Sequence, residues 1–357
     1  MRPVVRTAAV VAVVVIVGVG GFAAGWFLKP ASGSSGSSSE PLWIIAAGSL
    51  APILPAFAST FANQTPGVSD PISAQLYEGS GTAATSLAGG QQPYDVFVAA
   101  DFRTIPSDLE PTASTVASWE VVFAADPMVL AYAPSDSALG GINATNWPAK
   151  LMQAGVLLGA PNASTDPLGY NAIFTLELED AAAGLNGSLY AHFFLGAEGS
   201  LATPTSATVQ ISENVAATAL SSGEADAFLL YRSYAIADHL TYLDLGSAVD
   251  LSATGSANVS HYQTATTTVL SGTSTKVVKG APVLFSVTVP STATSELLGV
   301  AFTAFLLSNA SQATWAGCGF DPLPVEWSDH PSALPAALAG SPPSGVQALP
   351  GYLVALL

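Results

Sequence analysis

At 357 residues, with 50% apolar side chains and only 9% charged ones, the chain is too apolar to be disordered and long enough for one large domain or two lobes. Its 8 Lys and Arg stand against 25 Asp and Glu, a formal charge of −17, so the clustered cations that a nucleic-acid backbone demands are missing. Cys318 is the single cysteine, which excludes an internal disulfide and an all-cysteine metal site and leaves a buried apolar thiol as the expectation.

Arg2 and Arg6 precede an uninterrupted apolar run from Ala8 to Leu28, enough to cross about 30 Å of hydrocarbon as a helix. Residues 1–30 therefore read as a transmembrane anchor, with a cleaved signal as second choice because a signal's apolar core is shorter. The two arginines put the N-terminus in the cytoplasm and everything after Lys29 on the extracellular face of the membrane. Residues 31–41, ASGSSGSSSEP, form a flexible tether. Six Asn-x-Ser/Thr sites, at Asn63, Asn143, Asn162, Asn186, Asn258 and Asn309, fit an outward-facing surface. A surface of Ser, Thr, Asn, Gln and Gly in place of charge suits an acidic exterior, where carboxylates lose their charge and contribute little solubility.

From Leu42 onward short apolar strands alternate with helix-compatible stretches. LWIIAAGSL reads as a strand ended by a Gly-Ser turn, and the residues up to Gln64 carry apolar side chains near helical spacing. Glu78-Gly79-Ser80-Gly81-Thr82 opens another helix. Tyr94–Asp101, Trp119–Pro134 and Ala225–Leu240 are continuously apolar and read as buried strands, which predicts a parallel-rich α/β architecture. No repeat and no second long linker interrupts the pattern, so the two lobes are expected to exchange chain. The tail, residues 331–357, ends in LPGYLVALL, apolar but too short to span a membrane.

In open α/β sheets anions collect where a strand ends and a helix begins, because free backbone N–H groups and the helix dipole converge there. Gly48-Ser49 and Ser80 occupy two such positions. Taken alone, each serine is as readily a plain N-cap, Asp166 before Pro167 an Asx turn, and Glu213 behind Ser212 a helix first-turn residue. His192, His239, His261 and His330 show no metal or triad spacing, and no GxSxG, HExxH or phosphate loop occurs, so an enzyme is not expected.

The segments IIAAGSL, YEGSG followed by YDVFVAADFRTIP, FAADPMVLAY with INATNW, TDPLGY, SENVAATALSSGEADAFLLYRS, and VLFSVTVPS with AFTAFLLS run in this order between about Trp43 and Val325. Together they resemble the archaeal tungstate/molybdate-binding protein family, a branch of the periplasmic binding proteins. The resemblance implies a two-lobed, type II periplasmic-binding-protein-like α/β fold: lobe I from 42–132 completed by 268–330, lobe II from 133–267, and a ligand cleft between them. It implies that Gly48, Ser49 and Ser80 contact the oxyanion from lobe I, that the Asp166 and Glu213 carboxylates bond its metal to complete six-fold coordination, and that Pro167, Leu168 and Tyr231 add contacts. Glu224 is the rival to Glu213, since the loop after Asp166 is shorter than is usual in the family. Tungsten and molybdenum in their highest oxidation state are hard centres that accept extra oxygen ligands, whereas sulfate and phosphate cannot expand and would be repelled by buried carboxylates. The resemblance further implies a monomer without cofactor that delivers tungstate or molybdate to an ABC permease with a cytoplasmic ATPase. The same fold holding sulfate, phosphate or another solute, and a non-transport surface domain, are the alternatives.

Overall fold

A computed structural model describes residues 41–68, 75–90, 92–110, 115–196, 201–340 and 345–357. The expected span over 1–30, and the tether but for Pro41, lie outside them; among the described residues no single helix is long and apolar enough to cross a membrane.

The strands are β1 (Ile44–Ala47), β2 (Gln75–Glu78), β3 (Val96–Ala99), β4 (Val121–Ala125), β5 (Met128–Tyr132), β6 (Leu158–Ala160), β7 (Phe194–Leu195), β8 (Thr203–Pro204), β9 (Thr208–Gln210), β10 (Ala227–Tyr231), β11 (Tyr242–Asp244), β12 (Thr266–Ser271), β13 (Ser274–Lys279), β14 (Leu284–Thr288), β15 (Asp321–Ser328) and β16 (Gln347–Ala348). Those of the first sheet lie in the order β16-β15-β4-β14-β3-β1-β2 and those of the second in the order β11-β5-β10-β6-β9. In the first sheet β1 is parallel to β2 and β3, and β14 inserts antiparallel between β3 and β4. The apolar runs expected as strands lie inside: every residue of β1, β3, β4, β10 and β14 is buried. Such strands need helices on both faces, which the alternating helical segments supply.

Two runs are divided differently from expectation. Trp119–Pro134 is two strands in two sheets: β4 ends at Ala125, Asp126-Pro127 crosses over, and β5 pairs antiparallel with β10 and β11. The crossover thus falls before residue 132, and β5 belongs with the second sheet. Ala225–Leu240 is a strand only to Tyr231 and continues as the helix Arg232–Ala237.

The passage between sheets is densely bonded. Asp126 N donates to Val283 O at 3.1 Å, Met128 N to Asp250 O at 2.8 Å and Arg232 N to Pro127 O at 2.8 Å. The Asp126 carboxyl, fully buried, accepts from Ser233 N at 3.1 Å and from the Ser233 hydroxyl. The tail packs on the first sheet, where β16 pairs parallel with β15 and Leu349 and Leu353 are buried. Cys318 is only half-buried, short of the buried site expected for it.

Candidate functional site

Four short segments meet where the two sheets face one another. After β1 the chain turns through Gly48–Leu50, a single 3-10 turn in which Ser49 is wholly buried. After β2 the helix Ser80–Ala88 begins at Ser80, also wholly buried, whose Oγ accepts from Ala100 N at 3.0 Å. From the other side come Asp166, at the start of the helix Pro167–Ala183, and Glu213, which opens the 3-10 turn Glu213–Val215.

Glycine makes the approach possible. A Cβ on Gly48 would stand 2.4 Å from Glu213 Oε1, and one on Gly79 would stand 2.4 Å from the Thr165 carbonyl oxygen and 3.2 Å from Asp166 Cα. The two Gly-Ser turns of the first sheet are therefore pressed against the two acidic segments of the second, with no room for a side chain between them.

Asp166 caps its helix: its Oδ1 accepts from Leu168 N at 2.9 Å, and Pro167 takes the first helical position, where its missing N–H costs nothing. Pro167 and Leu168 are buried, while Asp166 is half-buried. Burial pushes the Asp166 carboxyl up to about 6, with the Leu168 N–H opposing. Glu213 is driven well above the carboxylate range by burial first and by the Asp166 charge second, against the pull of the Ser49 N–H. Its Oε2 and the Ser49 hydroxyl are buried with no partner among the described residues. Tyr231, at the end of β10, is buried and its hydroxyl accepts from Asn171 Nδ2 at 3.1 Å; burial and then the Asp166 and Glu213 charges raise its pKa. Glu224 is exposed.

A cavity of about 950 Å³ opens beside this seam. Asp166 and Pro167 line it, whereas Gly48, Ser49, Ser80, Leu168, Glu213 and Tyr231 are sealed off from its wall. Arg103, Lys276 and Lys279 also line it, three of the five Lys and Arg beyond Lys29, the other two being Lys150 and Arg232. Arg103 is locked by Asp101, with Nη2 to Oδ2 at 2.6 Å, and its Nη1 donates to Lys279 O at 2.7 Å. Tyr170, one turn beyond Asp166, donates its hydroxyl to Asp101 and so ties the second sheet's helix to the first sheet. Asp101, Arg103, Tyr170, Asn171, Lys276 and Lys279 went unnoticed in sequence. Asp101 and Arg103 stand inside YDVFVAADFR, but nothing in a linear reading pairs them with Tyr170.

Residues 42–321 match a family described as bacterial extracellular solute-binding protein. The chain is 27% identical over 286 residues to an uncharacterized solute-binding protein of Methanoculleus marisnigri, with 76% of each chain covered. It is 25% identical over 243 residues to the molybdate/tungstate-binding protein WtpA of Thermococcus kodakarensis, covering 64% of this chain and 66% of that one. The periplasmic molybdate-binding protein of Azotobacter vinelandii superposes with a TM-score of 0.53 at 16% identity over 79% of this chain and 99% of that one, which shows a shared fold. With its mixed α/β, periplasmic-binding-protein-like architecture and a family match running from Leu42 to Asp321, the chain belongs to the bacterial extracellular solute-binding proteins.

Proposed function

We propose that this protein captures tungstate or molybdate outside the cell, at the seam of its two sheets, and hands it to an ABC-type permease energised by a cytoplasmic ATPase, with the N-terminal segment holding it at the membrane. The observation that carries the reading is the pair of buried groups without a partner among the described residues, Ser49 Oγ and Glu213 Oε2, on the two segments that meet at Gly48. Buried polar groups without partners are rare in folded proteins, and a serine donor beside a carboxyl acceptor is what an oxyanion with a hard metal centre requires.

The donors on the seam are arranged to give. Ser80 Oγ and the Tyr231 hydroxyl each already accept one N–H, from Ala100 and Asn171, which leaves their own hydrogens for an oxo group. Gly48 and Leu168 contribute backbone N–H groups, and Pro167, which has none, lines the cavity beside them. Asp166 and Glu213 bond the metal, and Arg103, Lys276 and Lys279 draw the dianion into the cavity. The relative from T. kodakarensis is named for the same two oxyanions, which supports the choice of ligand.

Metal bonding requires the carboxylate form, while burial favours the protonated one, so binding at neutral pH is expected to release protons. Titration of the full chain with tungstate, molybdate and sulfate, each in two buffers of different ionisation heat, measures both quantities at once. Expected are net proton release and a sulfate affinity at least ~100-fold weaker, with Asp166→Asn and Glu213→Gln each losing at least ~10-fold for tungstate. Asn retains the helix cap, so a well-folded Asp166→Asn isolates the charge. Sulfate competing on equal terms, or protons taken up, would make the two acids neutral donors to a simple tetrahedral anion and sink the metal-bonding reading.

A further inference from the structure

At the end of β4 remote from the crossover, Glu110 and Asp329, far apart in sequence, meet at His330, with a third acid, Glu120, buried nearby. Glu110 follows the helix Thr104–Asp108, Glu120 precedes β4, and Asp329 and His330 follow β15. One carboxylate oxygen each from Glu110 and Asp329, together with a His330 ring nitrogen, lie within 4.8 Å of one another. His330 Nε2 stands 3.4 Å from Glu110 Oε2 and 4.0 Å from Asp329 Oδ2.

The two acids are not solvated surface groups. Their side chains are 10% and 3% exposed, against 59% for the imidazole, and among the described residues Glu110 Oε1 and Asp329 Oδ2 are buried with no donor other than the two acids themselves. Asp329 is held in place: its Oδ1 accepts from Glu120 N at 2.9 Å and from His330 N at 2.8 Å, which turns the other oxygen toward the cluster. Glu120 is wholly buried behind it, its carboxyl beside the Ser286 hydroxyl. Several acids packed so close with one imidazole in a low-dielectric setting must either hold protons or share a cation.

We infer that Glu110, Asp329 and His330 bind a divalent transition-metal ion of the Mn²⁺ to Zn²⁺ range. Two carboxylates and one imidazole match those ions rather than Ca²⁺ or Mg²⁺, which prefer oxygen alone, and three protein ligands leave positions for water. The Glu120 and His330 backbone N–H groups are the outer contacts that orient Asp329. The ion clamps the start of the C-terminal tail to the edge of the first sheet. Five strand residues at about 3.3 Å each separate this point from the crossover, so it is distinct from the cleft.

The test is titration of the chelator-treated full chain with MnCl₂ and ZnCl₂ at neutral pH, alongside thermal unfolding. One equivalent is expected to bind and to raise Tm by roughly 5 °C at a hundredfold excess over Kd. Asp329→Asn is expected to abolish binding, and His330→Ala, at a side chain exposed enough to leave the fold intact, to weaken it at least ~10-fold. Tungstate affinity stays unchanged in both. The inference is overturned if no stoichiometric binding occurs, or if His330→Ala binds as tightly as the parent. It is equally overturned if neither metal moves Tm at a hundredfold excess over the protein.

Discussion

Gly48 and Gly79 owe their lack of a side chain to the other half of the molecule, not to their own turns. Alanine at Gly48 would meet Glu213 Oε1 and Asn214 Oδ1, at 2.4 and 2.7 Å, and alanine at Gly79 would meet main chain. A side-chain oxygen can swing aside more readily than a peptide carbonyl, so Gly79→Ala is expected to be the harsher change. Overpacking of this size costs about 1–3 kcal/mol, or roughly 5- to 150-fold in Kd, because it opposes closure. Thermal unfolding of the unliganded protein should move little in either variant. A titration in which Gly79→Ala binds as tightly as the parent would show that the seam need not close.

Among the elements, the hairpin β12–β13 is the one that the sequence offered least reason to single out. It forms a two-stranded sheet of its own, tied to the second sheet's helix by Thr266 N donating to Glu177 Oε2 at 2.8 Å and to the loop before that helix by Leu270 N donating to Ser164 Oγ at 2.9 Å. It brings Lys276 and Lys279 to the cavity of a strongly anionic protein. Charges placed at a cavity entrance act mainly on encounter. Lys276→Ala combined with Lys279→Ala is expected to slow tungstate association by roughly 10-fold at low salt, to flatten its salt dependence, and to leave dissociation unchanged; stopped-flow fluorescence of the tryptophans measures all three. Strands buried on both faces were legible because they are continuously apolar, and the Gly-Ser turns because glycine punctuates. The same continuity hid the crossover: Ala125 and Met128 are equally buried, so nothing apolar changes where the chain leaves one sheet for the other. Arg232–Ala237 reads as strand in sequence because RSYAIA is short and apolar enough for either state. The pairing of Tyr170 with Asp101, and of Glu110 with Asp329, depends on tertiary placement and leaves no local signature.

On the scale of the whole molecule, burial of acids is the dominant electrostatic theme. Asp126 is pushed up to about 8, Glu177 to about 7 and Asp166 to about 6, in each case by burial above all. Unfolded, such groups titrate near 4. Between about pH 4 and pH 8 the folded state therefore holds more protons than the unfolded one, and stability falls as pH rises through that window. Relief of self-repulsion in a chain of charge −17 acts in the same direction. Thermal scans of the unliganded protein are expected to give a Tm higher at pH 4 than at pH 8; a maximum on the alkaline side would remove the case for an acidic habitat.

The order of strands along the chain also sets a timetable for synthesis. The second sheet draws on an unbroken stretch from Met128 to Asp244, while the first takes β1 from the beginning and β16 from the last eleven residues. A ribosome therefore releases everything the second sheet needs while the first still lacks β14, β15 and its outer edge. Stalled nascent chains ending near residue 290 should already shield the Met128–Asp244 region from protease, whereas residues 44–125 gain protection only after the C-terminus has emerged. The half of the molecule that is begun first is finished last.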